Sequence, residues 1–166
     1  MVNWSLISRL KKEGEYLLDR TAMEALNHHS SISLLEMTVE YLPERQTTFE
    51  NIIRKKDAHK YLEYLEKHHR IKEAVQFVEQ SNRLWDDAKY RFFIKYLNDF
   101  PKEAESYFTR RIDHELPYTG DSHYYAIADS LRALKKIDRD KAIAITQQIR
   151  NEYKRRRNLM EAIKNI

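Results

Sequence analysis

Apolar residues recur along almost the whole chain at steps of three and four, the period of an amphipathic helix. The first such stretch runs from about Trp4 to Asn27, with Leu6, Ile7, Leu10, Leu17, Leu18, Ala25 and Leu26 as its apolar positions. Gly14 either divides it or costs it roughly 1 kcal/mol relative to alanine. Ile32, Leu35, Val39 and Leu42 make a second face that Pro43 terminates. Ser33 with Glu36, and Thr47 with Glu50, have the spacing of a capping box, in which a hydroxyl and a carboxylate satisfy two unpaired backbone amides. Asp57 is placed to cap a helix carrying Ala58, Tyr61, Leu62 and Leu65.

The same period continues beyond His68-His69. Ile71, Ala74, Val75 and Val78 form one face, and Leu84, Trp85, Ala88, Phe92 and Tyr96 the next. Pro101 suits the first position of a new helix, where its missing N–H costs nothing. That helix presents Ala104, Tyr107, Phe108 and Ile112. After the Pro117–Gly120 loop come Tyr124, Ile127, Leu131 and Leu134, then Ala142, Ile145, Ile149 and Tyr153, and a short last helix with Leu159, Met160 and Ile163.

A loose repeat crosses this series. Ile71-Lys72-Glu73-Ala74-Val75, Pro101-Lys102-Glu103-Ala104-Glu105 and Asp140-Lys141-Ala142-Ile143 place their alanines 30 and then 38 residues apart. Those intervals suit a two-helix repeat in which small residues let paired helices approach. The expected fold is all-α: stacked antiparallel helical hairpins in a solenoid-like, TPR-like array. The array reads as one domain, with N-terminal helices over 1–56 and hairpin repeats over 57–166. Composition strengthens the class. Two glycines and three prolines in 166 residues are too few for the turns of a β-rich fold.

Charge adds less. Thirty basic residues face 26 acidic ones, a net +4, which describes a solvated helical surface and names no partner. Without cysteine there is neither a disulfide framework nor a thiolate zinc site. No apolar run approaches the roughly 20 residues that span a bilayer. Met1 to Leu10 is too polar for a signal peptide. The expectation is a cytoplasmic protein without a membrane segment.

Candidate chemistry is sparse. His28-His29 and His68-His69 are adjacent pairs, whose side chains diverge by about 100° on a helix and converge poorly on one ion. Neither a nucleophile elbow nor a glycine-rich phosphate loop is present. The reading is therefore non-enzymatic, without cofactor or metal. Two features stand out as binding surfaces. Arg150, Lys154, Arg155, Arg156 and Arg157 form the most basic run, with Tyr153 beside it for stacking, so they are candidate contacts to nucleic-acid phosphates. The alternative for that run is a basic helix end complementing the helix dipole. His123, Tyr124 and Tyr125 form a candidate contact to a protein partner, because two adjacent tyrosines cannot both face a core. A protein–protein interaction module is the expected function, and nucleic-acid binding through the basic run the alternative.

The segments Ser122-His123-Tyr124-Tyr125, Ser130-Leu131-Arg132-Ala133-Leu134 and Ile149-Arg150-Asn151-Glu152-Tyr153-Lys154-Arg155-Arg156-Arg157-Asn158-Leu159-Met160 resemble the C-terminal helical tail of bacterial SWIM-type zinc-finger proteins. The likeness covers about residues 60–166 and is best after 120. It implies a helical tail acting in protein–protein or nucleic-acid interactions. The family's Cys-x-Cys…Cys-x-His zinc ligands have no counterpart in this cysteine-free chain, so no zinc site follows.

Overall fold

The computed structural model describes the backbone of residues 4–166 and the side chains from residue 13 onward. Among these residues there are ten α-helices, one 3₁₀ turn and no strand. The all-α expectation holds. Two compact units divide the chain, residues 1–85 and 86–166. The sequence reads as one domain, and the change from N-terminal helices to hairpin repeats read at 56/57 lies inside the first of these units.

The first unit holds α1 (Trp4–His28), α2 (Ile32–Tyr41), the 3₁₀ turn Pro43–Arg45, α3 (Gln46–Lys56), α4 (Ala58–Lys67) and α5 (Ile71–Gln80). Successive helices pack on one another from α2 through α5, and α1 lies on α3. Leu26, Leu35, Phe49, Ile53, Leu65, Ala74 and Val78 lose all contact with solvent. Leu17 and Leu18 depart from expectation at 61% and 49% exposed; among the described residues of α1, Ala22 and Leu26 are the buried ones. Leu6, Ile7 and Leu10 lie outside the residues whose side chains are described.

Helix ends show where local spacing misled. Ser31, not Ser33, caps α2, its hydroxyl accepting from the Leu34 amide at 3.4 Å. α3 starts at Gln46 straight out of the 3₁₀ turn, so Thr47 lies already inside the helix and caps nothing. Glu36 and Glu50 turn instead to distant cations. Asp57 caps α4 as its spacing predicts, accepting from the Lys60 amide at 3.1 Å. The C-terminus of α1 is closed by lysines of other helices: Lys56 Nζ donates to the Leu26 and Asn27 carbonyls and Lys60 Nζ to that of Ser30. Cations there satisfy orphan carbonyls and complement the helix dipole together.

One buried charge organises this unit. His69, at φ 56°, ends α4 in the left-handed region, and the Arg70 amide returns to the Leu65 carbonyl at 2.9 Å. That reversal aims the Arg70 guanidinium back at Glu50, which it grips through both carboxylate oxygens at 2.5 and 3.1 Å. Gln46 and Tyr64 also donate to Glu50, at 2.6 and 3.3 Å. Glu73 takes the outer edge of the same guanidinium at 2.6 Å. Those hydrogen bonds hold the Glu73 carboxyl below its usual range and raise Arg70 further above neutrality.

The second unit holds α6 (Asp86–Lys95), α7 (Pro101–Glu115), α8 (Asp121–Ile137), α9 (Arg139–Glu152) and α10 (Arg157–Ala162). Leu84 and Trp85, expected on a helix with Phe92, precede α6 in a loop. Leu84 is buried there, whereas Trp85 is 75% exposed. Pro101 opens α7 as predicted. α8 is the hub, since α7, α9 and α10 all pack against it. Ile127, Ala128, Leu131 and Leu134 give it a fully buried face. Ala104 of α7 and Ala142 of α9 are wholly buried too, so small residues sit where neighbouring helices run close to α8. Gly120, at φ 129°, starts α8 from backbone that an L side chain rarely adopts, which explains glycine there.

A polar clamp joins α6 to α7 and α8. Arg111 donates to Asp86 at 2.6 Å, to the Ser130 hydroxyl at 3.2 Å and to the Ala126 carbonyl at 3.3 Å. Tyr107 donates to Asp86 at 2.9 Å, and burial with that carboxylate beside it pushes the phenol well above its ordinary value.

Candidate functional site

α8 positions the site because its two faces differ. The apolar face is core, while Asp121, Tyr125 and Arg132 recur at helical spacing on the outward side. α10 lies alongside and contributes Asn158, Glu161 and Ala162, with Asn165 just past its end. The groove between them has a volume of about 360 Å³. α10 is held in place at its C-terminal end. Arg150 of α9 donates to the Ile163 and Lys164 carbonyls at 3.0 and 3.1 Å, and Lys135 of α8 to that of Ile166 at 2.8 Å.

The adjacent tyrosines separate as helical geometry requires. Tyr124 is 7% exposed and forms the floor of the groove, whereas Tyr125 is 61% exposed at its edge. His123 belongs to a different cluster. Its Nδ1 pairs with Glu115 at 2.5 Å and its ring stacks on Tyr118 with centroids 5.1 Å apart. His114 pairs with the same carboxylate at 3.2 Å. Burial alone raises Glu115, yet the hydrogen bonds with His123 and His114 leave it below the usual carboxylate range. No three His, Asp or Glu residues are gathered in metal-binding geometry among the described residues. No described helix is long and apolar enough to cross a membrane.

The basic run divides. Arg156 Nη1 donates to the Leu116 and Tyr118 carbonyls at 2.6 and 3.1 Å, closing the end of α7, while its guanidinium lies 4.6 Å from the Tyr153 ring centroid. With Arg150 bonded to the end of α10, two of the five cations are engaged in holding helix ends. Lys154, Arg155 and Arg157 are exposed and form no hydrogen bond or ion pair among the described residues. Two of the five thus hold helix ends, and three are exposed without such a partner.

Asp121, Arg132, Asn158, Glu161 and Asn165 were not singled out from sequence. One signal for them was present: Asp121, Tyr125 and Arg132 form a polar and aromatic stripe opposite the leucines of one helix. The share taken by α10 carries no local signal. Two buried polar atoms without a partner, His59 Nε2 and Thr109 Oγ1, do not line the groove.

The class defined by these features is an all-helical protein with a polar groove between two of its helices. No protein-family model matches the chain, and no curated protein or solved structure was found to be similar to it.

Proposed function

We propose that this protein is a non-enzymatic helical interaction module whose α8–α10 groove docks a protein partner. The observation that carries this reading is Tyr125. A large aromatic ring stands 61% exposed at the rim of a groove, on the helix whose opposite face is core. Tyrosine offers wide contact area at low cost in side-chain entropy and is enriched where binding energy concentrates. A solenoid-like stack of hairpins accords with successive helices packing on one another from α2 through α5 and from α6 through α9, and with the complete burial of Ala74, Ala104 and Ala142. The resemblance of the C-terminal region to SWIM-type tails implies the same kind of role.

A photo-crosslinking amino acid at position 125 tests the reading, with the same substitution at the exposed Tyr41 of the first unit as control. One discrete protein adduct is expected from position 125 and none from position 41. Equal adducts from both positions would refute it.

A second reading rests on Lys154, Arg155 and Arg157, three exposed cations in a unit holding 17 basic against 13 acidic residues. Nucleic-acid binding through them falls steeply with salt. Fluorescence anisotropy with single-stranded and duplex oligonucleotides at two salt concentrations decides it, and flat titrations remove it.

A further inference from the structure

The groove runs against the charge of the unit that carries it. Two carboxylates, Asp121 and Glu161, and one guanidinium, Arg132, line it. The guanidinium is already paired with Asp129 at 2.7 Å. Glu161 meets Lys164 at 3.3 Å, with both side chains more than 60% exposed, an ion pair of the kind that exchanges readily for another cation. The Asp121 carboxylate accepts from Asn158 at 3.3 Å and keeps acceptor capacity, since an ionised carboxylate has about four lone-pair sites. Asp121 and Tyr125 stand four residues apart on α8, hence on one face a single turn apart.

An exposed aromatic face with carboxylates a turn away and across the groove matches one chemistry, a cation carried on an extended stem. The ring attracts it through its quadrupole and the carboxylates complete its hydrogen bonds. A phosphate group would meet Asp121 and Glu161 with only the engaged Arg132 to offset them. From this we infer that the groove receives an arginine or lysine side chain from a partner protein, anchored on Tyr125 between Asp121 and Glu161. The inference rests on the protein-docking function proposed above and names the side chain that the docked segment supplies.

The test is an amide NMR titration of the full chain with N-acetyl-arginine amide, N-acetyl-lysine amide and N-acetyl-glutamate amide. The two cationic probes are expected to produce saturable shifts at Tyr125, Asn158 and Glu161, and the glutamate probe none there. Tyr125→Ala and Glu161→Gln, both at exposed positions where folding is spared, are each expected to weaken arginine binding about fivefold, the weight of one cation–π or charged contact. Equal shifts with the glutamate probe, or unchanged arginine affinity in both variants, overturns the inference. A protein adduct at position 125 without any arginine response overturns it as well, while leaving the docking function standing.

Discussion

The two units handle charge in opposite ways. Residues 1–85 hold thirteen basic and thirteen acidic residues, and their defining electrostatic feature is internal: Glu50, buried and gripped by Arg70. Residues 86–166 carry the chain's whole excess of four positive charges, yet Arg150 and Arg156 turn theirs onto backbone carbonyls. A count of basic residues therefore overstates the basic surface of the second unit. What matters is which cations are already engaged, and only Lys154, Arg155 and Arg157 of the run stand clear.

The largest break in this comparison comes from the first unit. Arg70→Ala strands Glu50 in a site with 8% side-chain exposure, and removing one partner of a buried pair costs about 3–5 kcal/mol. Urea unfolding followed by circular dichroism is expected to show that loss, with part of it recovered in the double variant Arg70→Ala/Glu50→Gln. A first unit as stable without Arg70 as with it would mean the pair is incidental.

In the second unit, Arg156→Ala removes two charge-assisted hydrogen bonds at the end of α7 and is expected to cost about 1.5–3 kcal/mol. Changing Lys154, Arg155 and Arg157 to glutamine is expected to shift stability by less than about 0.5 kcal/mol each, as for surface positions without partners. The contrast in unfolding midpoints separates engaged from free cations. Equal effects would erase the distinction.

A smaller effect is readable in pH. Glu73 is held below its usual range by hydrogen bonds from Arg70, so its contribution is present above the ordinary glutamate value of 4.5 and is lost as pH falls through the lower folded value. Glu73→Gln is expected to lower the first unit's stability slightly at neutral pH, to leave it nearly unchanged once the carboxyl is protonated in acid, and so to flatten the acid limb below about pH 4.5. One substitution should instead produce a gain. Nothing lies within 4 Å of a Cβ built on Gly14, so Gly14→Ala is expected to stabilise α1 by up to about 1 kcal/mol and raise helical ellipticity slightly.

The fold class was legible because it rests on local facts: a 3.6-residue apolar period and the scarcity of turn residues. Pro101 at the start of α7 and Asp57 before α4 were legible for the same reason, since a first-turn proline and a capping carboxylate act within three residues. The capping boxes at Ser33/Glu36 and Thr47/Glu50 misled because spacing cannot reveal a competing long-range partner. Glu36 is taken by Lys67 and His68, and Glu50 by Arg70. Leu17 and Leu18 misled likewise, for a helical stripe shows amphipathicity and not how much of the helix meets a core. At the site, the split between Tyr124 and Tyr125 followed from helical geometry. The α10 wall, and the diversion of Arg150 and Arg156 to helix ends, depended on contacts that no local window contains.

The Arg156 bridge reaches from residue 156 back to the carbonyl of Leu116, forty positions earlier in the chain. It cannot close until the intervening helices have docked, because the loop entropy must be met first. A contact that closes so long a loop is expected to form after the folding barrier. Its loss is expected to leave the refolding rate of the second unit nearly unaltered while hastening its unfolding. Stopped-flow chevrons of the wild type and Arg156→Ala should therefore share a refolding limb and diverge on the other. A single guanidinium would then act as a latch on lifetime, setting how long the α8–α10 surface persists once formed.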